Sequence, residues 1–301
     1  EGLLGSSILG FNTQFHCNNF IDTVDRQLEA RVDRETFTIF YGGKPTAVKR
    51  YPISIEWPVP PEVTQKPVAD CRRELREKLG LPLEQMIGVG VDRLDYTKGI
   101  LERFLAVERL LELQPEWVGR FTFVQIAAPS RSSIGQYQEF EKQVRALAEQ
   151  INERFGKGGH APIVLKIEHH EPVLVYQYYR AANVCFVSSL HDGMNLVAKE
   201  FVAARDDEQG VLILSQFAGA SREMPEALIV NPYDTDQCAA ALHVGLTMPA
   251  PEQRDRMRIM RSLISEFNVY RWAGRMLLDA AAMRKRGRLA AGGPVGGSNA
   301  P

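Results

Sequence analysis

From about residue 86 onward, short apolar runs alternate with longer stretches whose apolar positions recur at a helical period. Residues 86–91, MIGVGV, read as a buried strand by length and β-branched content, and the polar loop DRLDYTKG follows. ILERFLAVERLLEL then sets Leu101, Phe104, Leu105, Leu110 and Leu111 at helical spacing. The alternation repeats with strand FTFVQIA (121–127), loop APSRSSIG and a long polar helix to about Phe155. Strand IVLKI (163–167) leads into helix PVLVYQYYRAA, and strand VCFVSS (184–189) leads through LHDGMN into helix LVAKEFVAA. Strand VLILS (211–215) and the turn QFAGAS follow, and residues 235–248 and 251–285 read as closing helices. Short buried strands joined by helices pair in parallel through right-handed crossovers, so the pattern predicts an α/β protein with a doubly wound parallel sheet.

The first 58 residues follow a different pattern. A helix around NNFIDTVDRQLEARV precedes a strand-like AVKRYPISI, and WPVPPEV reads as a linker. So few residues cannot complete a Rossmann-like domain, and the chain opens on Glu1 within what reads as an element. The expected organisation is therefore the end of a larger first domain over 1–58, a ligand-binding domain over 59–268 and a closing helix over 269–285. The Gly-, Ala- and Pro-rich stretch 286–301 is expected to be a disordered tail.

Composition narrows the classes. The 301 residues carry 36 Lys+Arg against 37 Asp+Glu, a net charge of −1 that offers no general attraction for nucleic acid or anionic membrane. No apolar run approaches the ~18–20 residues that span a bilayer, and EGLLGSSILG lacks the features of a secretory signal. Cys17, Cys71, Cys185 and Cys238 are scattered without a CxxC pair, so a reducing, cytoplasmic setting is expected.

In open parallel sheets, ligands bind at the carboxyl ends of the strands. Three loops expected there carry unusual chemistry. In DRLDYTKG, Arg93 and Lys98 stand beside the start of the following helix, a composition suited to a diphosphate; the alternative pairs the two cations with Asp92 and Asp95 on the surface. In SSLHDGMNLVAKE, Gly193 permits a sharp turn and the first-turn amides of the next helix face the loop. Asp192 at the crest and Glu200, one turn into the helix, are acceptor-only groups that fit sugar or ribose hydroxyls. The alternative has Asp192 capping the helix and Glu200 solvated. In APSRSSIG, Arg131 stands among serines ahead of a helix.

Other chemistries find less support. There is no GxxxxGK[ST], HExxH, GxSxG or zinc-spaced Cys/His set, and GVGVDR lacks the third glycine of a nicotinamide fingerprint. His169, His170 and Glu171 are sequence neighbours and read as a rim or surface pair, while Tyr176, Tyr178 and Tyr179 read as packing.

GVDRLDYTKG with ERFLA, QIAAPSR, HDGMNLVAKEFVAA, GVLILSQFAGAS and ALIVNPYD, in that order, resemble the trehalose-6-phosphate synthase family of retaining glycosyltransferases. The resemblance implies the GT-B architecture of two facing Rossmann-like domains, with this chain supplying the second and a remnant of the first. It implies that Arg93 and Lys98 bind the donor diphosphate together with the backbone of Leu196 and Val197. Asp192 and the backbone of Gly193, Met194 and Asn195 would hold the transferred glucose, Glu200 the ribose, and Arg131 the acceptor's phosphate. The implied reaction moves glucose from UDP-glucose to glucose 6-phosphate with retention, giving trehalose 6-phosphate, with no metal or other cofactor. The partners it implies are a sugar nucleotide and a sugar phosphate, with nucleic acid and membrane excluded and a homo-oligomer left open.

The motifs that carry the family's acceptor pocket and a histidine near the reacting sugar lie upstream of the position equivalent to Glu1, and His16 belongs to a different segment. The donor site is thus expected to be present and the acceptor site incomplete. His191 stands where some relatives carry Arg. Enzymes that make glucosylglycerol phosphate share the donor motifs, and a catalytically silent nucleotide-sugar-binding module is the alternative of another class. The intact set Arg93, Lys98, Asp192 and Glu200 favours the enzyme.

Overall fold

The computed structural model describes residues 1–129, 135–156 and 158–291, with side chains to residue 287. The chain divides into two compact units, Glu1–Ser54 with the segment from Phe267 onward, and Ile55–Glu266.

In the first unit, β1 (Ile8–Phe11) leads into α1 (Gln14–Gln27), followed by β2 (Arg31–Asp33), β3 (Thr38–Tyr41) and β4 (Lys44–Arg50). The sheet order is β1-β4-β3-β2, with β1 parallel to β4 and the other pairs antiparallel. Thr13 caps α1 by accepting from the His16 amide, and Cys17, Ile21 and Val24 bury its apolar face against Ile39 and Val48. The expected helix starts earlier, at Gln14, and stops at Gln27, ahead of β2. The hairpin β3–β4 was not expected, although Gly42 and Gly43, at φ +56° and +76°, form the two-residue turn that joins it. The expected strand through Ile55 ends at Arg50, two residues before Pro52, which has no amide to donate.

The second unit begins with α2 (Pro61–Thr64) and α3 (Val68–Leu79). It continues through β5 (Met86–Arg93), α4 (Ile100–Leu113), β6 (Phe121–Ala128), α5 (Gly135–Phe155) and β7 (Ile163–Lys166). Then come α6 (Pro172–Ala181), β8 (Val184–Val187), α7 (Leu196–Ala204), β9 (Val211–Ser215), β10 (Leu228–Val230), α8 (Thr235–Thr247) and α9 (Ala250–Glu266). Six parallel strands lie in the order β10-β9-β8-β5-β6-β7, the doubly wound arrangement expected. The order reverses between β5 and β8, so the crevice at the topological switch point opens between the loops that follow these two strands.

Burial refines the helix reading. On α4 the core-facing stripe is Ile100, Arg103, Phe104, Val107, Leu110 and Leu111, whereas Leu105 is 39% exposed. Gly90 is a packing glycine: a Cβ there would lie 2.3 Å from the Arg103 guanidinium. The closing stretch 251–285 is not continuous. It breaks after Glu266, and α10 (Val269–Ala291) starts under a cap in which Asn268 Oδ1 accepts from the Tyr270 and Arg271 amides. In the first unit, Asp279 of α10 accepts from Lys49 Nζ at 2.6 Å and Tyr51 Oη at 2.7 Å, and Trp272 Nε1 donates to the Tyr51 carbonyl. Residues 286–291 of the expected tail continue this helix, and 292–301 lie outside the described residues.

Candidate functional site

The loop after β5 enters the crevice through a short turn. Burial acts to raise the Asp95 pKa, but the amide and hydroxyl of Thr97 both donate to its carboxylate and hold it below the usual range. Gly99 follows at φ +65°, and a Cβ there would lie 2.1 Å from the Ser188 carbonyl, so a side chain is excluded both by the backbone conformation and by the neighbouring chain. This close approach locks the β5 loop to the β8 loop. The Leu190 amide donates to the Thr97 carbonyl, and Ser188 Oγ donates to the Gly99 carbonyl at 2.7 Å.

Under the two loops lies Arg103, wholly buried. Its guanidinium donates to Asp92 at 2.8 Å, Gln125 at 2.6 Å and Ser188 Oγ at 3.0 Å, tying β5, β6 and the β8 loop together. Asp92 is therefore a structural partner of Arg103 and does not neutralise Arg93, as the surface-pairing alternative required. Arg93 is exposed at the end of β5, and no ion pair holds its guanidinium among the described residues.

Lys98 meets Asp192 across the crevice at 2.6 Å, with both side chains mostly buried. Asp192 does not cap α7. Its carboxylate also accepts from the Met194 amide and from Asn195 Nδ2, each at 3.2 Å. The cap is Asn195, at φ +76°, whose Oδ1 accepts from the Ala198 amide at 3.0 Å. Positive φ is uncommon for a residue with a side chain, and Asn is among those that tolerate it. The amides of Leu196 and Val197 lie in the first turn of α7 and have no intrahelical acceptor.

A third loop completes the rim. The Gly219 amide donates to the Asp192 carbonyl and the Ala220 amide to the Met194 carbonyl at 2.7 Å, so the turn after β9 backs the segment 192–194. Lys199 and Glu223 join α7 to this turn by an ion pair of 2.8 Å, both side chains buried. One helical turn into α7, Glu200 is half-buried and accepts from Tyr179 Oη at 3.1 Å. Burial raises its pKa and the Tyr179 hydroxyl partly opposes the rise. Glu200 is therefore not the solvated surface residue of the alternative reading.

The fold thus brings Lys98, Asp192, Gly193, Met194, Asn195, Leu196, Val197 and Glu200 to one edge of the sheet, with Arg93 at the rim. Arg131 lies outside the described residues. His170 packs edge-on against Tyr178, with Nε2 3.5 Å from Glu168. Among the described residues no group of three or more His, Cys, Asp or Glu side chains is arranged to hold a metal ion. Two supporting residues escaped the sequence reading. Arg103 falls on the apolar stripe of its helix, which is a signal of a buried cation. Tyr179 carried no local signal, because its partner lies 21 residues away.

An edge with Arg93 and Lys98, the first-turn amides of α7 and two acceptor carboxylates matches the composition of a sugar-nucleotide site. Comparison with known proteins gives the family. The model of glycosyltransferase family 20 matches residues 1–282. The trehalose-6-phosphate synthase of Klebsiella pneumoniae is 38% identical over 96% of this chain and 62% of its own length. The structure of an α,α-trehalose-phosphate synthase (UDP-forming) from Burkholderia xenovorans, in complex with glucose-6-phosphate, superposes with a TM-score of 0.85 at 36% identity, covering 92% of this chain and 61% of that one. The E. coli protein bound with UDP-2-fluoro glucose gives 0.85 at 37% identity, with the same coverage. The chain thus spans about three fifths of the length of these relatives, within which its sheet, crevice and motifs fall in one continuous match. It belongs to glycosyltransferase family 20.

Proposed function

We propose that this chain carries the donor-binding half of a retaining glucosyltransferase that moves glucose from UDP-glucose to glucose 6-phosphate, giving trehalose 6-phosphate and UDP. The observation that carries the reading is the Lys98–Asp192 pair beside the amino end of α7, at the switch point of the sheet. Arg93, Lys98 and the amides of Leu196 and Val197 take the diphosphate. Asp192 and the backbone of Gly193, Met194 and Asn195 take the glucosyl hydroxyls, and Glu200 takes the ribose. Arg131 takes the acceptor's phosphate. Lys98 and Asp192 hold each other at 2.6 Å, and donor binding exchanges that contact for one from Lys98 to the diphosphate and one from Asp192 to the sugar.

During transfer the bond from the anomeric carbon to the diphosphate oxygen breaks with both electrons leaving on UDP. The acceptor hydroxyl bonds to the same face of that carbon, and its proton passes to the departing phosphate oxygen. Arg93 and Lys98 stabilise the charge growing on the diphosphate, which is preorganised electrostatic catalysis with no covalent enzyme intermediate. Calorimetric titration with UDP-glucose, GDP-glucose and ADP-glucose tests donor binding. Saturable binding of UDP-glucose, weakened by Lys98→Ala, is the expected result. Flat titrations would reject the donor site, and product formation from a different acceptor would reject the assigned reaction.

A further inference from the structure

We infer that Tyr179 is a positioning residue that makes the donor site selective for ribonucleotides over deoxyribonucleotides, by fixing which oxygen of Glu200 is offered to the nucleoside. The inference rests on the proposed placement of the ribose at Glu200. Tyr179 is fully buried, and its ring is held edge-on by Tyr176, with centroids 5.6 Å apart, and by Phe201 at 6.3 Å. This packing leaves the hydroxyl one direction, toward Glu200 Oε2. Among the described residues nothing donates to Oε1, so the carboxylate reaches the crevice with one oxygen satisfied and one free.

A carboxylate held in this way has only accepting sites to offer, and its match is a neighbouring pair of hydroxyls. A donor lacking one of them leaves a half-buried anion short of a partner, and sites built to bind a hydroxyl reject analogues lacking it for that reason. Without the Tyr179 hydroxyl, the carboxylate turns freely and takes up a proton more readily, and both changes erode the discrimination.

The test measures dissociation constants for UDP, 2′-deoxy-UDP and 3′-deoxy-UDP by calorimetry, on the unaltered chain and on Tyr179→Phe and Glu200→Gln. Tyr179→Phe keeps the packed ring. The unaltered chain is expected to prefer UDP by about 10- to 100-fold over at least one deoxy analogue. Tyr179→Phe should shrink that ratio to within about threefold, with Tm near that of the parent. On the unaltered chain, lowering the pH until Glu200 is protonated should shrink the ratio in the same way, a readout that needs no variant. A ratio unchanged in Tyr179→Phe but lost in Glu200→Gln overturns the role of Tyr179 and keeps Glu200 at the ribose. A ratio that survives Glu200→Gln, or absence of UDP binding by the unaltered chain, overturns the placement itself and this inference with it.

Discussion

The two edges of the six-stranded sheet use the same kinds of residue to opposite ends. At the amino edge, arginines close the chain on itself. Arg205 lies wholly buried, grips Asp207 with two nitrogens at 2.9 Å each and also donates to the Ala182 carbonyl. Arg180 donates to the Ala204 carbonyl at 2.7 Å, and Arg261 to the carbonyls of Val202 and Ala203. These are the last carbonyls of α6 and α7 and their flanks, which a helix cannot satisfy by itself. At the carboxyl edge, among the described residues, the first-turn amides of the same α7 and one oxygen of Glu200 have no partner, and Arg93 stands exposed. A charge is thus structural or available for a ligand according to whether the fold completes its hydrogen bonds.

Arg205→Ala leaves the buried Ala182 carbonyl without its guanidinium donor and Asp207 with only Arg72 at 3.7 Å and the Gln209 amide, so denaturant unfolding should show a loss of about 2–4 kcal/mol. Equal stability of the variant would break the contrast. The Lys199–Glu223 pair sits between the edges in character, buried yet next to the site. Lys199→Met and Glu223→Leu should each destabilise strongly alone and much less together, a double-mutant coupling of about 0.5–3 kcal/mol. Additive losses would mean the pair is not coupled.

Arg93→Ala should do the reverse of Arg205→Ala. Stability should stay within about 0.5 kcal/mol of the parent, because no buried partner is stranded. UDP affinity should fall by about 1.5–3 kcal/mol, the contribution of a hydrogen bond to a charged group, and the loss should shrink at high salt. Unchanged UDP affinity would remove Arg93 from the site.

Glu200 couples donor affinity and stability to pH. Burial raises its pKa in the folded chain, so donor affinity, which uses the ionised form, should fall as pH drops through that raised pKa. Stability of the empty chain runs the other way. The folded state holds this proton more tightly than the unfolded state, so the contribution is fully present at low pH and is lost as pH rises through the folded pKa. Glu200→Gln should therefore raise Tm at neutral pH, and a lowered Tm would contradict the assignment.

Arg258 and Glu208, an exposed pair near the amino edge, should matter least. The Arg258 hydrogen bond lowers the Glu208 pKa, so the small stabilisation exists above the ordinary carboxylate pKa and disappears as pH falls through the lowered one. Arg258→Ala should lower Tm only slightly at pH 7 and not at all well below the Glu208 pKa.

Much of this was legible along the chain. The switch from short β-branched runs to helical spacing marked β5 through β9, because the central strands are buried on both faces and tolerate few polar residues, while the edge strand β7 is only partly buried. Parallel pairing followed from the crossovers, and with it the edge at which Arg93, Lys98, Asp192 and Glu200 would gather. The β3–β4 hairpin was missed although Gly42–Gly43 signalled it, since the strands around it are short and half-exposed.

Periodicity and residues near one another in the chain are enough to specify the class of fold, the strands of the sheet and the loops that carry the chemistry. The pairings come from the packed fold. That Lys98 meets Asp192, that Arg103 takes Asp92 away from Arg93, and that Tyr179 holds Glu200 all depend on distances and packing set between separate elements. Strand order and helix packing set those distances, and a local pattern of hydrophobic and polar residues does not encode them.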